Sequence, residues 1–294
     1  MSLEALLRLL LLSAIWGASF IFFRVIVPVL GAVWTAELRV LIAGVALGVV
    51  ALVLRSRLEW KRFGWWIAGI GILNSGIPFA LIAFAELRLT ASMAAILNAT
   101  SPLWGALLGA LFFSEAFTTY KGIGLVLGIA GVAILVGWSP LEPGLLTTLS
   151  VLAMLGATFC YGLSSNLTKC HLQGAPLLGT VVGAQLASSL ALAPLLPLDL
   201  PRATPDLTVI LCLLALALVC TAAAYLLYYR LILELGATRA LSVTFLAPIF
   251  GTLWGALFLG EAVTLTKVLA CLVILCGAGF VTSLIGARAP AKAT

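Results

Sequence analysis

Few residues here could do covalent chemistry. The 294 residues include one histidine, ten carboxylates and six cysteines. His171 stands beside Lys169 and Cys170, and no Cys-x-x-Cys pair occurs. Zinc needs clustered ligands and a serine nucleophile needs a base, so no catalytic residue, no metal and no cofactor is expected, and the chain does not read as an enzyme. What remains is a set of uncharged polar and aromatic groups inside long apolar stretches. Trp16, Ser19, Asn74, Ser75, Phe79, Asn98, Ser101, Tyr161, Ser165, Gln185, Tyr225 and Thr244 are the candidates to hold a small solute by hydrogen bonds and ring contacts. In hydrocarbon such groups need partners or a wet cavity. Pro78, Pro102 and Pro248 are candidate hinges, because each removes a backbone donor and disturbs the preceding turn.

The elements that must position these groups are membrane spans. The chain is 63% apolar and 9% charged, with mean hydropathy +1.24, far from a soluble domain at roughly 25% charged. A soluble enzyme and a nucleic-acid binder are excluded. A span needs about 20 mostly apolar residues. Ten such stretches are expected: 4–26, 34–54, 63–85, 91–113, 120–138, 147–168, 176–196, 208–229, 239–260 and 265–285. They do not alternate apolar with polar residues, which argues for helices over a barrel. Arg8 followed by an apolar stretch could pass for a secretion signal, but the apolar pattern resumes at once, and the stretch is expected to be the first retained span. Eleven bases fall at one set of span ends, among them Arg8, Arg55, Lys61, Arg62, Lys121, Lys169 and Arg230, against five at the other. Positive charge stays inside, so both termini are expected in the cytoplasm of a bacterial cell, with the chain in the inner membrane.

An internal repeat organises these spans. Residues 102–121 read PLWGALLGALFFSEAFTTYK and residues 248–267 read PIFGTLWGALFLGEAVTLTK, with eleven identities at an offset of 146. A weaker echo links Trp16-Gly17-Ala18-Ser19 to Tyr161-Gly162-Leu163-Ser164. Duplication of an odd number of spans inverts the second copy. The expected fold is therefore an all-α polytopic membrane protein, with ten transmembrane helices as two inverted five-helix repeats around a central cavity. The first repeat covers 1–142, the second 143–287, and 288–294 form a short cytoplasmic tail.

The twin Pro-x-x-Gly…Gly-Ala-Leu-Phe-x-x-Glu-Ala-x-Thr-x-x-Lys blocks and the Trp16-Gly17-Ala18-Ser19-Phe20 start resemble the EamA-type branch of the drug/metabolite transporter superfamily, over essentially the whole chain. Within it the chain is most similar to the aromatic amino acid exporters of the YddG type. The resemblance implies alternating-access export of amino acids, with broad or aromatic preference, across the inner membrane. It also implies a cavity lined by spans 1, 3, 4, 6, 8 and 9, with 5 and 10 as scaffold. The alternative is a carrier for another neutral metabolite or drug on the same fold. The expected partners are a small-molecule substrate and membrane lipid, with no nucleic acid, and the protein is expected to be a monomer.

The charged groups refine this reading. Arg24, Glu37 and Arg39 lie near the outer ends of spans 1 and 2 and are expected to snorkel to the interface. Glu115 and Glu261 each precede a helix and are expected to cap it. No carboxylate is expected at mid-depth, so the carrier reads as a facilitator without strong proton coupling, and its solute as neutral or zwitterionic overall.

Overall fold

The computed structural model describes residues 3–56, 58–138, 144–235 and 243–282. Tail 288–294 and the boundary at 142/143 lie outside them, as does the side chain of Tyr229. The described chain is helical: α1 (Leu3–Leu30), α2 (Ala32–Val53), α3 (Trp60–Gly71), α4 (Ile77–Ala85), α5 (Ala91–Asn98), α6 (Ser101–Phe112), α7 (Thr119–Gly137), α8 (Leu145–His171), α9 (Leu177–Leu192), α10 (Leu207–Leu214), α11 (Ala224–Leu235), α12 (Val243–Leu259) and α13 (Leu265–Val281). Two π-helical stretches, Ile72–Gly76 and Ala215–Ala223, join α3 to α4 and α10 to α11. Merged across such joints, eight helical stretches are long and apolar enough to cross a membrane, and α12 and α13 are shorter apolar helices of 17 residues. The chain is an all-α polytopic membrane protein.

The bundle packs where helices can come close. In hydrocarbon, helices associate through small residues that let backbones approach. The most extensive pairings are α7 with α13, α1 with α12, α2 with α9, and α8 with α4 and α6. At the α1–α12 crossing a Cβ on Gly17 would lie 2.7 Å from the Gly251 nitrogen, and at the α8–α6 crossing a Cβ on Gly162 would lie 2.6 Å from the Gly105 nitrogen. Gly17 echoes Gly162, and Gly105 echoes Gly251, so both crossings use the same pair of repeat positions. The central core gathers Phe23, Ile26, Phe79, Ile82, Met93 and Met154.

The twin motif also folds twice in the same way. The Glu115 amide donates to the Gly109 carbonyl, and the Glu261 amide to the Gly255 carbonyl. Each carboxylate then folds back over its glycine, where a Cβ would meet it at 2.8 and 2.9 Å. Thr118 and Thr264 cap α7 and α13, each accepting from the amide of the motif lysine at 3.3 Å. The threonines thus take the capping role expected of the glutamates. Glu261 instead caps a helix of the other half: it accepts from the amides of Ala91 (2.7 Å) and Ser92 (3.0 Å) and from the Ser92 hydroxyl, at the N-terminus of α5. Lys267 lies 3.7 Å from it. Glu115 pairs with Lys121 at 3.1 Å and Lys169 at 3.2 Å. Partial burial works to raise its pKa, but the two lysines outweigh it and hold the carboxyl below its ordinary value.

A second carboxylate acts at the same end of the bundle. Asp199 Oδ2 accepts from the Val33 amide at 2.9 Å, capping α2 across the halves. Gly31 makes the single-residue link before α2 at φ +82, and a Cβ there would strike the Asp199 carboxylate. Free amides at helix N-termini favour such anions.

Candidate functional site

The site is built around the two π-helical stretches. Pro78 has no amide to give, and the chain absorbs it one turn earlier: the Ile77 amide reaches the Ile72 carbonyl, five residues back. The extra residue turns Asn74 and Ser75 toward the bundle interior. Asn74 Nδ2 donates to the Tyr225 hydroxyl at 3.3 Å, and its Oδ1 accepts from Ser164 at 3.1 Å. Ser75 accepts from Gln185 Nε2 at 3.1 Å. Ser188 donates to the Gly71 carbonyl at 3.0 Å, at the edge of the same joint. The disturbed turn expected before Pro78 therefore agrees with the structure.

The second π stretch carries no proline and was not expected. Shifted by the repeat offset, 72–76 falls on 218–222, inside Ala215–Ala223. Ser75 corresponds to Thr221, whose Oγ1 donates to the Leu216 carbonyl at 2.9 Å and accepts from Arg39 Nε at 2.9 Å. Both π stretches thus present hydroxyl groups to one central region.

Arg39 corrects the sequence reading. It does not snorkel: it is 5% exposed, with its guanidinium 3.7 Å from the Phe79 ring centroid and 5.1 Å from that of Phe23. Glu37 is also buried on α2 and accepts from the Ser189 hydroxyl at 2.6 Å, toward α9. Arg24 donates to the Glu86 carbonyl at 2.6 Å, and the Glu86 side chain is fully buried at the end of α4. The expected snorkelling of Glu37 and Arg39 is thereby overturned, while both buried carboxylates lie toward helix ends, Glu37 in the second turn of α2 and Glu86 just past α4. The cause lies in tertiary neighbours, because Phe23, Phe79 and Thr221 reach Arg39 from three other elements.

The remaining candidates divide. Trp16 packs its ring on Tyr225 and Tyr228, at 6.4 and 5.3 Å between centroids. Tyr161 packs against the central core and lies within electrostatic reach of Arg39, as does Tyr225. Ser19 is buried on α1 beside Cys220. Asn98 and Ser101 flank the break between α5 and α6, where the Ser101 hydroxyl donates to the Asn98 carbonyl at 2.7 Å. Pro102 follows in the first turn of α6. Pro248 differs, lying inside the continuous helix α12, where Thr244 occupies the first turn. Ser165 is exposed on α8 and outside the hydrogen-bonded cluster. Among the described residues no group of three or more His, Cys, Asp or Glu could hold a metal.

A bundle of apolar spans with a polar centre of amides, hydroxyls, rings and one guanidinium defines a membrane carrier of small solutes. The chain belongs to the EamA-like transporter family, whose model matches twice, over residues 3–137 and 148–283; these are transporters, not enzymes. It is similar to an uncharacterized transporter of Archaeoglobus fulgidus, 24% identical over 89% of this chain and 92% of that one. It is 26% identical to a protein of Salmonella typhimurium named "Probable amino-acid metabolite efflux pump", over 91% of each. A third relative is protein PecM of Dickeya dadantii, 27% identical over 85% of this chain and 82% of that one. One crystal structure shares the fold at a TM-score of 0.67 and 21% identity, covering 97% of this chain and 98% of that one.

Proposed function

We propose that this small-molecule secondary transporter is an amino acid exporter of the bacterial inner membrane, with broad or aromatic preference. It works by alternating access of two inverted halves, 1–142 and 143–287, with both termini cytoplasmic and a monomer as the working unit. The observation that carries the reading is the pair of π-helical stretches at equivalent repeat positions. They set Asn74, Ser75 and Thr221 beside Tyr225 in the bundle centre, where a carrier of this kind holds its solute. The aromatic preference draws on Trp16, Phe79, Tyr161 and Tyr225. The name borne by the Salmonella relative supports an amino acid as cargo.

The twin motif supports alternation. Equivalent motif positions have different surroundings: the Glu261 side chain is 8% exposed and the Glu115 side chain 35%. At one end Glu261 and Asp199 hold helix N-termini of the first half; at the other Glu115 reaches Lys169 and Arg8 reaches Glu234 across the halves. Alternation requires these ties to release in turn, the buried Glu261 tie at one end and the more exposed ion pairs at the other. The carrier is read as a facilitator without strong proton coupling, since the buried carboxylates Glu37 and Glu86 lie toward helix ends. The test is counterflow of a panel of labelled amino acids into liposomes of purified protein, with and without an imposed pH gradient. Saturable exchange of aromatic or other amino acids is expected. Non-saturating flux of a pore, or exchange confined to solutes other than amino acids, would overturn the reading.

A further inference from the structure

Arg39 is a buried cation without a matching anion. Its Nε is spent on Thr221 at 2.9 Å, and its face lies on Phe79 at 3.7 Å. Among the described residues no carboxylate comes within ion-pair distance of it, and its two terminal nitrogens donate to nothing. Glu37, two residues away and so on another face of α2, is committed to Ser189. Arg24, the neighbouring guanidinium, is occupied elsewhere, donating to the Glu86 carbonyl at 2.6 Å.

Such a residue is costly at membrane depth and marks a solute path by default. Phe79 covers the face of the guanidinium and Thr221 fixes its near nitrogen. What stays free is the planar outer edge, the geometry that meets a carboxylate through two parallel hydrogen bonds. Tyr161 and Tyr225 lie within electrostatic reach of the same group, and Trp16 packs on Tyr225, so an apolar or aromatic body could rest beside the bound anion. We infer that Arg39 anchors the carboxylate of the transported solute, so that the substrate class is an organic carboxylate with an apolar or aromatic body. This deepens the proposed amino acid export and rests on it. It also replaces the expectation of a site without fixed charge.

The experiment uses full-length protein in proteoliposomes and in detergent. Counterflow of labelled L-phenylalanine is competed with 3-phenylpropanoate, which keeps the carboxylate, and with L-phenylalaninamide, which loses it. A thermal-shift titration with 3-phenylpropanoate reads binding without transport. In the wild type the carboxylate competitor is expected to act about ten- to a hundredfold more strongly than the amide, the range of a hydrogen bond to a charged group. Arg39→Gln should erase that difference and the thermal shift, while remaining folded by size exclusion. Should that variant fail to fold, Arg39→Lys, which keeps the charge and loses the fork, must lower the preference. An unchanged preference in either folded variant overturns the anchor and leaves the transport reading standing. A wild type that moves no amino acid yet is stabilised by 3-phenylpropanoate through Arg39 upholds the anchor and overturns amino acid export.

Discussion

Glu115 and Glu261 occupy one motif position, yet their loss should cost very different amounts. Glu261 accepts from two backbone amides and a serine hydroxyl, with Lys267 beside it, and its side chain is 8% exposed. Glu261→Ala would strand the first amides of α5 and a buried ammonium. Removing one member of a buried pair costs about 3–5 kcal/mol. Glu261→Gln keeps an acceptor oxygen but loses the charge, and should cost about 1.5–3 kcal/mol. Glu115 is 35% exposed, and one of its partners, Lys169, is 64% exposed, so water already screens the pair. Glu115→Ala should cost about 0.2–1 kcal/mol. The assay is unfolding of purified variants in mixed micelles with increasing denaturing detergent, followed by tryptophan fluorescence, with the wild type alongside. The expected order of stability is wild type, Glu115→Ala, Glu261→Gln, Glu261→Ala. Equal losses for the two alanine variants would refute the claim that burial, not motif position, sets what each glutamate contributes.

Other outcomes follow from particular contacts. Gly162→Ala should destabilise by about 1–3 kcal/mol, because its Cβ would lie 2.6 Å from the Gly105 backbone. Gly69→Ala, with nothing within 4 Å, should stabilise α3 by about 0.5–1 kcal/mol; the same micelle assay reads both. Tyr225→Phe removes the oxygen that Asn74 uses and should weaken apparent solute affinity in counterflow by about two- to tenfold. The Glu115 carboxyl is held below its ordinary value, so its pairing supports the fold above about pH 4.3, the unperturbed glutamate value. That support fades as pH falls through the lowered folded value, and a stability profile from pH 6 to 3 should flatten in Glu115→Gln relative to wild type.

Much of this architecture is legible in the residues alone, because a membrane demands long apolar runs and the chain supplies them. The distortion at 72–76 is legible through Pro78, which lacks the amide a regular turn would use. The matching π stretch at 215–223 is not, because ALALVCTAA contains no proline or glycine to announce it. Arg39 reads as a snorkelling base from its place near a helix end, and only the three remote elements that close over it turn it inward. The glutamates were misjudged for a related reason. Their spacing to the next helix suits a cap, but Thr118 and Thr264 fill that role, which leaves Glu261 free to reach α5. The glycine six residues before each glutamate was the available signal, since it makes room for a carboxylate folding back.

The central claim is that the two ends of the bundle open in turn. Its most direct test is a pair of distance measurements by spin-label resonance in proteoliposomes, on an otherwise cysteine-free background. One pair of labels sits on the exposed Arg88 and Val263 positions at one end of the bundle, the other on Phe117 and Cys170 at the opposite end. Adding saturating L-phenylalanine should shift the two distance distributions in opposite directions. Distributions that move in the same direction, or do not move while the protein transports phenylalanine, would contradict the account.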